Sequence, residues 1–287
     1  MSILGLSTRR KIALARVVRS LVWASRRVAG SPMHGTFTRQ RLRWALDLNE
    51  GIDFSIYLMG AFERRLLQCY TRLVSPNAVV LDLGANVGAH TLPLARLVGP
   101  GGKVVAVEAT AYAFAKLRAN LALNPELIPG VTLVHALLVA QENGAPATTD
   151  LYSSWSLLQG GDIHPIHRGT LKPLGPARVL TTDRLVDEQG LTQVDWIKLD
   201  VDGHELAVLE GAKQTLARYH PAIFMELAPD YYAAHPGEFA ALLALLWAEK
   251  YQFYLPGEKQ PLPTAIAELE ALIPTGGGIN VLARVGN

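Results

Sequence analysis

The residues able to do chemistry are concentrated in two short segments, each at the end of an apolar run that predicts a β-strand. The first segment has the sequence DLGANVG over residues 82–88 and overlaps the apolar run 79–83. Because residues 89–97 then have helical periodicity, the pattern predicts a strand–loop–helix unit, which places a nucleotide-like ligand at the carboxyl edge of a parallel sheet. Gly84 and Gly88 have no Cβ atom and would let the backbone pass close to that ligand.

The charges beside this loop indicate which ligand it would accept. The pattern Asp-x-Gly-x-x-x-Gly differs from the Gly-x-Gly-x-x-Gly of dinucleotide enzymes, and the Asp82 carboxylate would repel a pyrophosphate but suits a cationic ligand. The next apolar run, residues 103–107, ends in Glu108, which lies 20 residues after Gly88 and is placed to accept hydrogen bonds from ribose hydroxyls. A ribose with a positive charge and no pyrophosphate describes S-adenosylmethionine better than NAD.

The second segment, WIKLDVDGHE over residues 196–205, combines three carboxylates and an imidazole at the end of another predicted strand. His204 would open the following helix, where the helix dipole lowers the pKa of an imidazole and keeps it neutral. A neutral imidazole suits a general base that takes a proton from a hydroxyl, and Asp200 and Glu205 are further catalytic candidates. The alternative is structural: Asp200 and Asp202 would cap the helix, and Glu205 would complement its dipole.

Further candidates for metal or substrate binding lie partly outside these segments. Asp200, Asp202 and Glu226, which lies near the end of the following predicted strand, could supply oxygen ligands to Mg²⁺, although their spacing does not require a metal. Asp202 and Glu226 are also candidates for contacts with a substrate. Trp155 lies among serines in residues 141–177, a stretch without periodicity whose length is typical of a substrate loop or lid. Its ring could stack on a sugar or anchor that loop.

Strands and helices alternate from residue 79 onward, which predicts an α/β fold with a mainly parallel sheet. A long proline-containing segment before the final strand allows that strand to reverse direction. A short edge strand is predicted at residues 178–182, one helix at residues 205–216, and turns or short strands at residues 41–57. The seven predicted core strands are residues 79–83, 103–107, 131–140, 195–199, 222–227, 251–255 and 279–283.

The N-terminal part of the chain differs in charge from the rest. Residues 1–46 contain ten Lys or Arg residues and no Asp or Glu, whereas the remaining chain carries 17 bases against 25 acids. Residues 8–28 predict an amphipathic helix. One interpretation places this helix on an anionic membrane, and the other packs it on the domain with a solvated charged face. We therefore predict a basic helical extension over residues 1–45 and a catalytic domain over residues 46–287.

The sequence also bears on localisation. No apolar run reaches the roughly 18 residues that a membrane-spanning helix needs, so none is predicted. The single cysteine, Cys69, excludes an internal disulfide framework and fits a reducing compartment. The sequence therefore predicts a cytoplasmic protein, which would lie at the inner face of the membrane if residues 8–28 bind lipid.

Three motifs resemble those of the FkbM family of S-adenosylmethionine-dependent methyltransferases: VVLDLGANVGAHTLPLA, KVVAVEAT with the following AFAKLRANLALNP, and WIKLDVDGHELAVLEGA. The resemblance extends over residues 50–227. It implies a Rossmann-like class I methyltransferase fold, with a seven-stranded sheet whose last strand is antiparallel. It also implies that Glu108 contacts the ribose and that the first motif contacts the cofactor through Asp82, Gly84, Ala85, Asn86 and Gly88.

The sequence departs from the family pattern in two places. Ala109 follows Glu108, where the family usually has a proline, and the third strand lacks the acidic residue that often meets the adenine amine. Glu142, shortly after that strand, is the candidate replacement.

The leading hypothesis is O-methylation of a hydroxyl on a glycan, such as a polysaccharide or lipopolysaccharide sugar, or on a secondary metabolite, since the family mostly uses such acceptors. The first alternative is a nicotinamide-dependent oxidoreductase, against which the missing third glycine and the Asp82 carboxylate both count. The second alternative is a non-catalytic scaffold that docks through the basic extension. Nucleic acid is a less favoured substrate because the body of the chain is net acidic.

Overall fold

The computed structural model describes residues 8–144, 150–153, 157–158, 169–235 and 237–286. An eight-stranded sheet organises these residues. In spatial order its strands are β11 (Tyr251–Tyr254), β12 (Ile279–Val285), β10 (Ala222–Leu227), β9 (Trp196–Leu199), β3 (Val79–Leu83), β4 (Lys103–Glu108), β5 (Val131–Leu138) and β8 (Arg178–Leu180). Neighbouring strands are parallel except where β12 pairs with β10 and with β11, and both of those pairs are antiparallel.

This strand order confirms the predicted fold class. The last strand in the chain is reversed and lies between β10 and β11, as expected for a Rossmann-like class I methyltransferase. All seven predicted core strands are present, and the eighth, β8, is the predicted short edge strand, which ends at Leu180 rather than residue 182.

Helices and two hairpins surround the sheet. The hairpins pair β1 (His34–Arg39) with β2 (Leu42–Asp47), and β6 (Asp150–Ser153) with β7 (Thr170–Pro173). The helices are α1 (Thr8–Val28), α2 (Gly51–Met59), α3 (Arg64–Leu73), α4 (Thr91–Val98), α5 (Ala111–Ala122), α6 (Thr182–Glu188), α7 (Glu205–Glu210), α8 (Lys213–Tyr219), α9 (Glu238–Ala248) and α10 (Ile266–Glu270).

The sheet is buried on both faces, and β3 illustrates why its strands are apolar runs. Val80 belongs to the hydrophobic cluster on one face, whereas Leu81 and Leu83 belong to the cluster on the other. Because successive side chains of a strand point to opposite faces, a strand covered on both sides needs apolar residues at nearly every position. Asp82 is 0% exposed in the middle of this run, so a buried carboxylate stands out against its surroundings.

Two local expectations were only partly correct. Residues 41–57 contain a short strand, β2, as predicted, but they also contain most of the helix α2. Ile52, Phe54 and Ile56 of α2 are buried against the domain, and this burial overrides their strand propensity. The single helix predicted at residues 205–216 is two helices, α7 and α8, which break at Gly211. A Cβ on Gly211 would lie 2.3 Å from the carbonyl oxygen of Val139, so the chain passes too close to that strand end for a side chain.

The basic N-terminal helix α1 packs on the domain through one face. Ala15, Val18 and Val22 contact the same hydrophobic cluster as Val80. The predicted boundary between the N-terminal extension and the catalytic domain, after residue 45, falls inside β2. Alternate side chains of β2 are buried in the same hydrophobic cluster. None of the helices in the described ranges has an apolar stretch long enough to traverse a bilayer.

Candidate functional site

A cleft lies at the carboxyl ends of β3, β4, β5 and β9, and it brings the two predicted chemical segments together. Six of the sequence-predicted residues line it: Gly84, Asn86, Glu108, Asp200, Asp202 and His204. The parallel register explains the meeting, because β3 lies between β4 and β9 and all three strands end at the same edge of the sheet.

Gly84 places the first loop directly against the end of β9. Its N–H and that of Ala85 both donate to the carbonyl oxygen of Val107, at 3.0 and 2.9 Å. The φ angle of Gly84 is +81°, and a Cβ would lie 1.8 Å from the carbonyl oxygen of Asp200. The glycine is therefore required by contact between two parts of the protein, whereas the sequence argument attributed it to a ligand.

Gly88 is likewise required by contacts within the protein. Its φ angle is +90°, and a Cβ would lie 2.8 Å from Leu117 and 2.9 Å from Leu92, two side chains of the flanking helices. Asn86, between the two glycines, has a φ angle of +48° and donates its N–H to Glu108 Oε2 at 3.0 Å. The loop is thereby fixed to the end of β4.

Glu108 is held by three donors from the protein. Besides the bond from Asn86, its Oε1 accepts from the N–H and the hydroxyl of Thr110, at 2.8 and 2.6 Å. Burial raises the pKa of Glu108, although these hydrogen bonds oppose the rise. A carboxylate offers about four lone-pair sites, so Glu108 keeps the capacity to accept from a sugar hydroxyl in the cleft.

Asp82 lies immediately before the loop and is 0% exposed. Its Oδ2 accepts from the hydroxyl of Thr91 at 2.5 Å, but its Oδ1 has no hydrogen-bond partner among the described residues. Lys198 is its register partner on β9, with Nζ 3.9 Å from Oδ1. A buried oxygen without a donor is costly, so this carboxylate contributes negative charge and unused acceptor capacity beneath the loop.

Lys198 is one of two polar residues near the site that the sequence did not point to, the other being Glu63. Its Nζ donates to the carbonyl oxygen of Gly84 at 3.1 Å and to Asp200 Oδ2 at 3.2 Å, and so it links the two chemical segments. Burial lowers the pKa of Lys198, but the carboxylates of Asp200, Asp82 and Glu63 outweigh burial and raise it overall. The ammonium group therefore stays charged at neutral pH. The available signal was a lysine inside an apolar strand, since a buried lysine needs charged partners.

Glu205 turns inward instead of lining the cleft. Its carboxylate accepts from the backbone N–H of Val201 at 3.2 Å and of Gly203 at 3.1 Å, and from the hydroxyl of Tyr232. The turn that it holds includes Asp202 at a φ angle of +51° and Gly203 at +99°. This geometry gives Glu205 a structural role, although a different one from the predicted complement to the helix dipole: its carboxylate fixes the turn before α7.

The other members of the second segment face the cleft. His204, the residue before α7, has an exposed side chain at the cleft edge. Burial raises the pKa of Asp202 well above its usual range, and the nearby carboxylates of Asp200 and Glu205 add to the rise. The arrangement places a candidate base, His204, and an acceptor of hydrogen bonds, Asp200, on one wall.

A second, smaller cavity, too narrow to hold a water molecule, lies beside Asp200, on the side of β10 and β12. It is lined by Glu63, Lys198, Asp200, Phe224, Glu226 and Asn280. Burial and the charges of Asp200 and Glu63 raise the pKa of Glu226 well above its usual range. Glu63, whose contribution could not be read from sequence, accepts from Asn280 at 2.8 Å and lies 3.3 Å from His90. Glu226 thus lines this second cavity, whereas Asp200 lines both the second cavity and the main cleft.

Of the two remaining sequence candidates, only Glu142 is described, and it lies outside the cleft. Glu142 Oε2 accepts from Arg184 at 2.5 Å, and Glu142 is not among the cleft-lining residues. Trp155 lies outside the described residues. The cleft wall at the end of β5 is apolar instead, and it is formed by Ala136, Leu137, Leu138 and, from β6, Leu151.

The structure adds no support for magnesium. Within the described ranges, no group of three or more His, Cys, Asp or Glu side chains is arranged to hold a metal ion. Of the three candidate ligands, Asp200 and Asp202 line the main cleft, Glu226 faces the second cavity, and Lys198 already donates to Asp200.

The chain is similar to several known methyltransferases. The chain is 25% identical over 199 residues to Methyltransferase sdnD of Sordaria araneosa, a match that covers 58% of this chain and 76% of that protein. Among solved structures, methyltransferase FkbM from Methylobacillus flagellatus KT matches with 14% identity and a TM-score of 0.44, over 74% of this chain and 44% of that one. The O-methyltransferase TomG from Streptomyces achromogenes matches with 13% identity and a TM-score of 0.45, over 78% and 79%.

The chain also matches a protein family. The methyltransferase FkbM domain matches residues 82–253, which is more than half of the chain and runs from the first cleft loop to β11. Both chemical segments lie within the matched residues, together with the strands that position them. The chain therefore belongs to the FkbM methyltransferase family.

Proposed function

We propose that this methyltransferase uses S-adenosylmethionine to methylate a hydroxyl of a small acceptor, such as a glycan sugar or a secondary metabolite. The observation that carries the proposal is the meeting of Glu108 with Asp200 and His204 in one cleft. Methyl transfer to a hydroxyl needs a place for the donor beside a group that can take the proton, and these residues supply both.

The residues on the donor side fit S-adenosylmethionine. The cofactor supplies a methyl group carried on a sulfonium ion. Glu108 would accept from its ribose hydroxyls, because the carboxylate faces the cleft and is already oriented by Thr110 and Asn86. The apolar wall at the end of β5 suits the flat face of an adenine. Asp82, with one oxygen lacking a donor, would add negative charge beneath the loop, offset in part by the Lys198 ammonium 3.9 Å from that oxygen.

On the acceptor side, one residue would remove the proton of the hydroxyl and another would orient that hydroxyl. His204 would remove the hydroxyl proton, since its side chain lies exposed at the cleft edge and can pass the proton to solvent. Asp200 accepts from Lys198 with Oδ2, and its other oxygen would orient the hydroxyl. Lys198 is not assigned as the base, because the surrounding carboxylates raise its pKa and keep it protonated.

The test is a methyl-transfer assay with labelled S-adenosylmethionine and a panel of hydroxyl acceptors, with Mg²⁺ and with EDTA. For the acceptor that reacts, His204→Ala should lower kcat by about 10²–10⁴-fold and leave the affinity for S-adenosylhomocysteine unchanged. His34→Ala, at an exposed histidine of the β1–β2 hairpin, is the matched control and should change neither quantity. Equal losses of kcat and affinity in His204→Ala would contradict its assignment as the base.

A further inference from the structure

Helix α1 presents an apolar surface to solvent on the side that does not pack on the domain. Its inward contacts come from Ala15, Val18 and Val22. Three other apolar side chains, separated by three and four residues and therefore aligned along the helix, are 46, 61 and 68% exposed: Leu14, Val17 and Leu21. We name this set the α1 stripe. A contiguous exposed apolar surface of this kind is typical of a binding face.

Other exposed apolar side chains lie on segments that contact α1 through residues outside the α1 stripe. They are Leu58, Met59 and Leu158, at 50, 53 and 47% exposure. The guanidinium of Arg26 lies 6.0 Å from the ring centroid of Tyr57, which brings the end of α2 next to α1. The guanidinium of Arg16 donates to the carbonyl oxygen of Leu158 at 3.4 Å, which places that residue beside the middle of the helix.

The charge on this part of the chain identifies the kind of partner. Helix α1 contains seven Lys or Arg residues and no Asp or Glu, and the following hairpin adds Arg39, Arg41 and Arg43. An anionic surface complements that charge. A second copy of the chain does not, because pairing two α1 helices would bring two sets of like charges together.

We propose that α1 docks the enzyme on an anionic bilayer, with the α1 stripe inserted at the boundary of headgroups and acyl chains. The basic side chains would then lie near the phosphates. An amphipathic helix that combines exposed Leu and Val with many bases and no acids is the type of element that lies in a membrane interface. The proposal concerns surface attachment and is independent of the methyl acceptor.

The experiment is sedimentation of the full chain with vesicles of phosphatidylcholine alone and of phosphatidylcholine with a quarter phosphatidylserine. We expect binding to the anionic vesicles, weakened by added salt. Because burying a leucine side chain in the bilayer favours binding and a charged glutamate opposes it, Leu21→Glu should weaken binding at least about tenfold, and Val17→Ser should weaken it less. The matched control is Leu272→Glu, which changes a leucine that is 51% exposed after α10, and it should bind as the unmodified chain does.

Three results would overturn the proposal. The first is no binding to the anionic vesicles by a chain that is folded by circular dichroism. The second is unchanged binding by both Leu21→Glu and Val17→Ser. The third is a dimer in light scattering that Leu21→Glu dissociates, since the α1 stripe would then contact a second copy of the chain.

Discussion

The two sides of the cleft differ in how the protein holds their polar groups. On the side of β3 and β4, Asp82 and Glu108 are 0 and 5% exposed and accept hydrogen bonds from neighbouring protein donors. On the side of β9, the side chain of Asp200 is 34% exposed and that of His204 is exposed. A buried, bonded group is oriented before a ligand arrives, whereas an exposed group can meet an acceptor and exchange protons with solvent. The first side therefore suits binding, and the second suits turnover.

Gly84 is the point at which these two sides touch, so among the substitutions proposed Gly84→Ala should lower the stability of the protein most. The added Cβ would lie 1.8 Å from a backbone oxygen at a residue with a φ angle of +81°. We expect the free energy of unfolding, measured by urea denaturation, to fall by about 4–5 kcal/mol. Gly190→Ala is the matched control, because Gly190 has a φ angle of +58° but no atom within 4 Å of a Cβ. It should cost only about 1–2 kcal/mol. Similar losses in the two variants would mean that the loop does not press on β9.

Lys198→Met removes the charge that links the two sides. The variant leaves Asp82 buried without a cationic neighbour, and breaking a buried ion pair costs about 3 kcal/mol or more in unfolding free energy. The pKa of Lys198 is raised on folding, so its contribution is fully present at neutral pH and is lost only as the pH rises above the ordinary lysine value of 10.5. Lys213→Met, at an exposed lysine of α8, should leave the unfolding free energy nearly unchanged. Equal stability of the two variants at pH 7 would contradict the linking role.

The sequence could predict the residues of the cleft only where a polar or glycine-rich segment directly follows the end of a predicted strand. The loop at residues 82–88 and Glu108 were found because their spacing matches a strand–loop–helix unit, and the parallel sheet then brings them together. Lys198 was missed because its partner Asp82 is distant in the chain and adjacent only through strand register. Glu63 was missed for a similar reason, since it reaches the second cavity from the start of α3, an element outside the alternating strands and helices.

The roles of individual carboxylates were harder to predict than their positions. Glu205 follows His204 directly, yet its carboxylate points back and accepts from the N–H groups of Val201 and Gly203, in the turn that precedes α7. Sequence shows that such a residue is present but not which way it points. The assignments of His204 and Asp200 as proton acceptor and orienting group remain predictions.

Glu108→Gln tests the binding side alone. The amide keeps the volume of the side chain but turns one acceptor oxygen into a donor that faces Thr110 and Asn86. Because hydrogen bonds to charged groups are worth about 1.5–3 kcal/mol, the affinity for S-adenosylhomocysteine should fall by about 10–100-fold, as measured by calorimetry. Glu126→Gln, at an exposed residue before β5, is the control and should bind normally. Undiminished affinity in Glu108→Gln would remove this carboxylate from the cofactor site.

Glu142→Ala should have the smallest effect. In the structure Glu142 pairs with Arg184 on the exposed surface and does not line the cleft, and such surface pairs contribute little. The affinity for S-adenosylhomocysteine should therefore change by no more than about twofold. A tenfold loss would instead support the sequence prediction that Glu142 meets the adenine.

The most direct test of the central claim is calorimetric titration of the unmodified chain with S-adenosylhomocysteine, and with NAD⁺ in parallel. The claim is that the cleft beside Asp82 and Glu108 holds S-adenosylmethionine and its demethylated product rather than a dinucleotide. It predicts micromolar binding of S-adenosylhomocysteine and no detectable heat from NAD⁺. Binding of NAD⁺ without binding of S-adenosylhomocysteine would contradict it.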